Sequence, residues 1–226
     1  MFIGHFALAF AAKKVAPTVS LGTLFLAAQL ADLVWPVLVL LGIEKVEVSP
    51  GITALTPLAF VHYPYSHSLV ALFGWAVALA LAYAFSHRSR IGVAVTIAAL
   101  VLSHWLLDFV THRPDMPLTV GGTGRFGLGL WNSVPATIAV EGLLFAAGVA
   151  VYVKATQAVD TIGTRALWSL VAFLVIVYVA NIFAPPPPSG RAVAWTALSM
   201  WLLVAWGYWI DAHRRAISSN ARLRFE

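Results

Sequence analysis

The chain has 226 residues, of which 61% are hydrophobic and only 10% are charged, with a formal net charge of +5. A water-soluble domain usually carries about 25% charged residues, so this composition excludes a soluble protein and predicts an integral membrane protein. The excess of basic residues does not indicate a nucleic-acid partner, because these residues stand singly or in pairs between apolar runs.

Six apolar runs are each close to the roughly 20 residues that a helix needs to cross a bilayer. They cover residues 21–43, 67–85, 91–110, 134–153, 166–184 and 192–210. The short apolar run at residues 2–15 leaves three alternatives open: a tilted seventh span, a re-entrant half-helix or an interfacial helix. We therefore predict an all-α, polytopic protein in which residues 1–226 form a single membrane domain.

Lysine and arginine are unevenly distributed between the loops on the two sides of these runs. Four of them, Lys45, Arg113, Arg125 and Arg191, lie on one side. The other ten are Lys13, Lys14, Arg88, Arg90, Lys154, Arg165, Arg214, Arg215, Arg222 and Arg224. Because basic loops favour the cytoplasm, we expect a cytoplasmic C-terminus, with the lipid bilayer as the main partner.

The most informative stretch, Ser103 to His112, closes the third run. Its residues His104, Asp108 and His112 recur at every fourth position, so they form one stripe on a helix. His104 and Asp108 are one turn apart and can bind one small cation, as two histidines do in helical zinc motifs. His112 lies roughly 12 Å from His104 along the axis, so it would serve a second ion, a substrate or the ligands' surroundings. Alternatively, the stripe supplies only caps and interhelical hydrogen bonds.

Further polar residues fall on the same, outer side of the predicted bundle. They are His5 in the N-terminal run, Asp32 in the first span, His62 and His67 at the start of the second, and Glu141 in the fourth. A charge at bilayer depth costs on the order of 2.5 to 3.5 kcal/mol, so such residues normally face a partner or a water-filled cavity. With no cysteine in the chain, any metal must be bound by imidazole and carboxylate groups.

The order of four sequence pieces resembles a bacterial inner-membrane family, the membrane-bound, metal-dependent hydrolases of the YdjM-like group. These pieces are Gly4-His5-Phe6, Ala31-Asp32-Leu33, Ser66-His67-Ser68, and Ser103-His104 followed by Asp108. The resemblance covers about residues 1–115 and implies a location in the bacterial inner (plasma) membrane. It also implies five metal ligands: His5, Asp32, His67, His104 and Asp108. The chain departs from the family at Ala31-Asp32-Leu33-Val34, where the family often has a second acid.

Three functions are consistent with these residues. In the first, His67, His104 and Asp108, with His5 and Asp32 as further ligands, hold a zinc-like or manganese-like divalent ion. Such an ion lowers the pKa of its bound water and supplies hydroxide to a lipid-like or membrane-associated ester or phosphoester.

Around this ion, Glu141 is the candidate general base, with pairing to Arg113 or Arg125 as the alternative. His62 and His112 are candidates for contacts to the ligands or the substrate. The second function is transport of a metal ion or protons by the same residues. The third is a structural membrane protein without a bound ion, whose polar residues join its helices.

Overall fold

The computed structural model describes residues 1–217, and helices make up most of that range. Residues 218–226, which include Arg222 and Arg224 of the predicted cytoplasmic set, lie outside the described residues. The α-helices of the described range are α1 (Ile3–Ala12), α2 (Leu21–Ala28), α3 (Leu30–Leu40), α4 (Pro64–His67), α5 (Leu69–His87), α6 (Ile91–Thr111), α7 (Val134–Ala155), α8 (Thr161–Phe183), α9 (Gly190–Ala197) and α10 (Met200–Ala212). The predicted all-α class is confirmed.

Short strands that the sequence analysis did not predict join the loops in antiparallel pairs. β1 (Lys45–Val48) pairs with β2 (Leu58–His62), β3 (Met116–Pro117) with β4 (Arg125–Phe126), and β5 (Thr156–Ala158) with β6 (Arg214–Ala216). A single-turn 3₁₀ helix covers Leu130–Asn132. β1, β2, β3, β4 and the 3₁₀ helix lie in the two long loops that flank α5 and α6, where they build a cap over one end of the helices.

Five helical segments are long and apolar enough to cross a bilayer: α5, α6, α7, α8 and the stretch Gly190–Ala212, which contains α9 and α10. α2 and α3 pass the same test together, but they are bent by 57° at a break, so the described residues contain six spans if this pair counts as one. The polytopic prediction is confirmed. The single straight span expected over residues 21–43 is instead interrupted at Gln29, which ends α2 and precedes α3.

Helix α1 lies inside the bundle, where it packs against α2, α6 and α7. Eight of its ten residues are buried, which excludes the interfacial helix among the three alternatives for this run. A helix of ten residues is about 15 Å long, half the thickness of the hydrocarbon core, so α1 is also too short to span it. It is a buried half-length helix surrounded by the longer ones.

Glycines allow the inner helices to approach one another closely. A Cβ atom added at Gly148 of α7 would lie 2.2 Å from the Ala7 carbonyl oxygen of α1. A Cβ atom added at Gly207 of α10 would lie 2.9 Å from the Cα of Gly22 in α2. Small residues at such crossings let van der Waals contacts form between backbones, which contributes to helix association in lipid.

A buried ion pair fixes the C-terminal end of α1. Lys13 Nζ donates to Asp211 Oδ2 at 2.5 Å and to the Val19 carbonyl oxygen at 2.7 Å. Asp211 also accepts from the Leu21 backbone N–H at 2.9 Å and from the Tyr152 hydroxyl at 3.3 Å. Because Asp211 belongs to α10, Tyr152 to α7 and Leu21 to α2, the ion pair joins α1 to three other helices. It fixes the C-terminal end of α1, so the N-terminal end of α1 points towards the other end of the bundle.

The α1–α7 contact gives a direct test of this packing. Gly148→Ala should lower the free energy of unfolding by roughly 1–3 kcal/mol, because the new methyl group overlaps the α1 backbone. Gly142→Ala is the matched control on the same helix, since a Cβ atom there meets no atom within 4 Å. Denaturant unfolding in detergent micelles measures both. Equal stability of the two variants would contradict the described α1–α7 crossing.

Candidate metal centre

The side chains of one buried group, here called the His/Asp cluster, converge on Asp108 of α6. Its other members come from α1, α3, α4, α6 and the residue after α6; they are His5, Asp32, His67, His104 and His112. The histidine and Asp108 side chains are at most 3% exposed, whereas that of Asp32 is 26% exposed. The cluster is therefore almost closed and opens at Asp32.

Both oxygens of the Asp108 carboxylate are surrounded by nitrogen atoms. Oδ2 lies 3.2 Å from His104 Nε2, 3.8 Å from His67 Nε2 and 3.9 Å from His112 Nε2. Oδ1 lies 3.1 Å from His5 Nε2 and forms an ion pair with the Met1 amine. The His5 and His104 rings are stacked, with centroids 3.8 Å apart.

Asp32 adds a second carboxylate on the other side of the same histidines. Its Oδ1 lies 3.3 Å from His67 Nε2 and 3.8 Å from His104 Nε2. Two groups therefore have ligand atoms within 4.8 Å of one another, and they share His104: His5–His104–Asp108 and Asp32–His67–His104. Ligands about 2.0 to 2.2 Å from a common ion stand at most about 4.4 Å apart, so small side-chain shifts would complete either group.

The break between α2 and α3 orients His104. Ala28 is the last residue of α2, and its carbonyl oxygen lies 2.8 Å from His104 Nδ1. Because a carbonyl oxygen can only accept, Nδ1 carries the proton and donates it. His104 Nε2 then has a free lone pair directed at the cluster, and among the described residues it has no hydrogen-bond partner.

A relay of two residues orients His67 in the same way. The Ser66 hydroxyl donates to Glu44 Oε2 at 2.6 Å and lies 2.7 Å from His67 Nδ1. Glu44 Oε1 also accepts from the backbone N–H groups of Tyr65 and Ser66. Since the single hydroxyl proton is given to the carboxylate, Ser66 Oγ accepts from Nδ1, and the lone pair of His67 is on Nε2.

His112 is oriented by Asp115, a residue that the sequence analysis did not single out. His112 Nδ1 and the Tyr63 hydroxyl lie 2.9 and 3.1 Å from Asp115 Oδ1, and Arg113 Nε donates to Oδ2 at 3.0 Å. Burial lowers the pKa of His112, although the hydrogen bond to Asp115 opposes this. Burial and the negative charge of Asp115 raise the pKa of Tyr63 well above its usual range, so Tyr63 remains a hydrogen-bond donor.

Aromatic rings cover His112 on the loop side. The rings of Trp131, Phe60 and Tyr63 have centroids 4.2, 4.9 and 6.1 Å from that of His112. The segment 127–129 crosses the end of α6, where Gly129 donates its backbone N–H to the His112 carbonyl oxygen at 2.7 Å. Gly129 has φ 73°, a conformation that favours glycine. This cover separates the cluster from solvent on the capped end of the bundle.

The orientation of the rings determines what the cluster can bind. For His67, His104 and His112 an acceptor next to Nδ1 leaves the Nε2 lone pair facing the carboxylates of Asp32 and Asp108. Lone pairs and carboxylate oxygens are all acceptors, and buried polar atoms without a donor or cation are rare in proteins. Imidazole nitrogens and carboxylate oxygens are also the common protein ligands of zinc, apart from thiolates. The arrangement fits a cation bound between them.

Two residues of the predicted site belong to neither ligand group. His62 ends β2 with its side chain exposed, and its ring contacts Tyr65 at a centroid distance of 6.1 Å, outside the cluster. Glu141 is buried, and its Oε2 accepts from the Phe2 and Gly4 backbone N–H groups at 2.9 and 3.4 Å. It therefore caps the N-terminus of α1. The considered pairing with Arg113 or Arg125 is absent, and Arg113 binds Asp115 instead.

Comparisons of the chain with protein-family models, with curated proteins and with solved structures found no match. The resemblance to membrane-bound, metal-dependent hydrolases therefore stays a prediction. What the structure itself adds is the spatial convergence of His5, Asp32, His67, His104 and Asp108, which are the five ligands implied by that resemblance.

The Ser66 relay can be tested by its effect on metal affinity. Ser66→Ala removes the acceptor of His67 Nδ1, so the affinity for Zn²⁺ should fall roughly 10- to 100-fold. Ser68→Ala is the matched control: Ser68 Oγ accepts from the Ala71 backbone N–H and caps α5, so its loss should cost about 1 kcal/mol of stability and leave affinity unchanged. Competition with a chromophoric chelator in detergent measures the affinity. Equal affinities for the two variants would refute the relay.

Proposed function

We propose that this protein is a metal-dependent hydrolase embedded in the membrane, which cleaves an ester or phosphoester of a lipid-like or membrane-associated substrate with a zinc or manganese ion at the His/Asp cluster. The observation that carries the proposal is the set of three Nε2 lone pairs directed at two carboxylates in a buried space. Each ring is held in that orientation by a separate acceptor: the Ala28 carbonyl, the Ser66–Glu44 relay and Asp115.

The charge of the cluster also favours a cation. With neutral histidines, Asp32 and Asp108 bring two negative charges, and the Met1 amine offsets one. Burying an uncompensated charge at membrane depth costs on the order of 2.5 to 3.5 kcal/mol on insertion scales. The remaining negative charge would attract a divalent cation, which would also satisfy the free lone pairs.

The residues of the cluster divide into ligands and surroundings. His104 belongs to both ligand groups, with His5 and Asp108 on one side and Asp32 and His67 on the other. When bound, a divalent ion at these residues would act as a Lewis acid and supply a hydrolytic nucleophile near neutral pH. Asp32 is the more exposed carboxylate, so a substrate would approach from its side.

We further propose that the cluster lies near the outer face of a bacterial inner membrane. The support is the distribution of basic residues: Lys13, Lys154 and Arg214 lie at the end of the bundle opposite the capped end, next to Asp211, Tyr152 and Thr156. Basic residues favour the cytoplasmic side, which puts the cap and the cluster on the outer side and α10 with its C-terminal end inside. At that depth the scissile bond of a lipid headgroup is within reach.

A second candidate function, transport of a metal ion or protons, is favoured by the break in the α2–α3 segment. Gln29 at the break is buried, and neither its side-chain nitrogen nor its oxygen has a hydrogen-bond partner among the described residues. Discontinuous helices form the ion sites of many secondary transporters. Asp32 of the cluster lies three residues after Gln29. In a transporter, the break and the cluster would therefore form one pathway.

The sharing of His104 predicts which variant loses the metal. Elemental analysis of the detergent-purified protein should give a stoichiometric transition metal, which His104→Ala should largely abolish. His112→Ala should retain most of it, because His112 belongs to neither ligand group. Both variants must elute as monodisperse protein for the comparison. In vesicles, wild type should hydrolyse a fluorogenic lipid ester or phosphoester. Metal flux without hydrolysis would favour the transport function instead. Purified protein without metal would contradict both the hydrolase and the metal-transport functions.

Because Glu141 accepts hydrogen bonds at the N-terminus of α1, replacing it with glutamine should have only a small effect on hydrolysis. Glu141→Gln keeps an oxygen that can accept from the Phe2 and Gly4 N–H groups, so hydrolysis should stay within about threefold of wild type, whereas a general base would lose about 10² to 10⁴. Glu141→Ala removes the acceptor and should lower stability by about 1 kcal/mol or more. Initial rates and thermal unfolding in detergent measure these effects. A metal-loaded, inactive Glu141→Gln would restore Glu141 as the base.

A further inference from the structure

A groove of about 670 Å³ runs along the outside of the bundle between α7 and α8, and Ile3 of α1 also lines it; no residue of the His/Asp cluster does. Apolar side chains line nearly all of it, among them Ile138, Ala146, Trp168, Val175 and Val179. Binding sites for drug-sized molecules have volumes of roughly 300 to 1,000 Å³ and combine apolar walls with several polar groups. The apolar walls of this groove instead suit a hydrocarbon chain.

The shape of the groove supports an elongated occupant. Its lining on α7 extends from Ile138 to Lys154, which corresponds to about 24 Å along the helix axis. This is most of the roughly 30 Å thickness of the hydrocarbon core. Both helices are candidate membrane spans, and only about a third of the α7 residues and slightly fewer of the α8 residues are buried. The groove between them therefore faces the lipid. An acyl chain can enter it sideways from the bilayer.

Two lysines give the groove a charged end. Lys154 is the last residue of α7 that lines the groove. It also lines a smaller adjoining recess of about 160 Å³ together with Lys14, Val151 and Ala155. Both lysines are exposed, and within residues 1–217 neither forms a salt bridge. Basic pockets next to membrane helices on the cytoplasmic side bind anionic lipid headgroups. The charge at this end is therefore complementary to a lipid phosphate.

We propose that this groove is a binding site for an anionic phospholipid, with an acyl chain between α7 and α8 and the phosphate between Lys14 and Lys154. The lysines lie at the opposite end of the bundle from the His/Asp cluster, so the bound lipid is distinct from a hydrolytic substrate. The proposal does not depend on the proposed function. Loss of metal or of hydrolysis would leave it intact.

Native mass spectrometry of the full chain in detergent, with added phosphatidylglycerol or phosphatidylcholine, tests the charged end. Wild type should bind phosphatidylglycerol at least tenfold more tightly. Lys14→Gln combined with Lys154→Gln should remove that preference, since a lysine near a lipid phosphate contributes roughly fivefold in affinity. Arg90→Gln combined with Arg165→Gln is the charge-matched control, because both arginines are exposed and neither lines the groove or the recess. This control should keep the preference.

A second pair of variants tests the apolar part. Ala146→Trp fills the groove and should weaken the binding of both lipids, whereas Ala147→Trp, on the neighbouring exposed position outside the lining, should not. Equal binding of the two lipids by wild type, or an unchanged preference in the double lysine variant, would overturn the proposal. So would a dimer that Ala146→Trp dissociates, because the groove would then hold a second copy of the chain.

Discussion

The structure depends on one constraint, the burial of the Asp108 carboxylate between helices in a lipid environment. Such a charge is stable only when groups of opposite charge or hydrogen-bond donors surround it. Here α1, α4, α6 and the segment after α6 each contribute an imidazole, and α3 contributes a second acid. Several irregular features of the fold serve this arrangement: a half-length helix in the core, an interrupted span and an ordered cap of short strands.

The interrupted span and the cap have the same chemical task, although they are unrelated in sequence. Each supplies a hydrogen-bond acceptor to the Nδ1 atom of a histidine. The Ala28 carbonyl at the end of α2 accepts from His104, and Asp115 beyond α6 accepts from His112. Partners of this kind fix the tautomer and the ring plane of metal-ligating histidines and raise their basicity. A straight helix through Gln29 would use the Ala28 carbonyl for its own backbone hydrogen bond and would lose this control.

The sequence predicted the features that follow from hydropathy and periodicity. It gave the polytopic helical class, the stripe of His104 and Asp108, and a convergence of polar residues at one end. It did not predict the break at Gln29, because one polar residue in an apolar run does not by itself end a helix and the proline of this run, Pro36, lies inside α3. Glu44 and Asp115 act through contacts that spacing does not encode. For Glu141 the partners are backbone N–H groups, which have no signature in the residue pattern, so its contact with α1 was not predicted.

The position of α1 has a consequence for biogenesis. A ten-residue helix followed by a lysine is too short to cross the bilayer by itself, yet α1 is enclosed by helices that follow it in the chain. The residue that binds Lys13 is Asp211, which lies 198 positions later on α10. The Lys13–Asp211 ion pair, which fixes the end of the helix that carries His5, can therefore form only after the last span has been synthesised. A chain that stops before α10 lacks this anchor for α1.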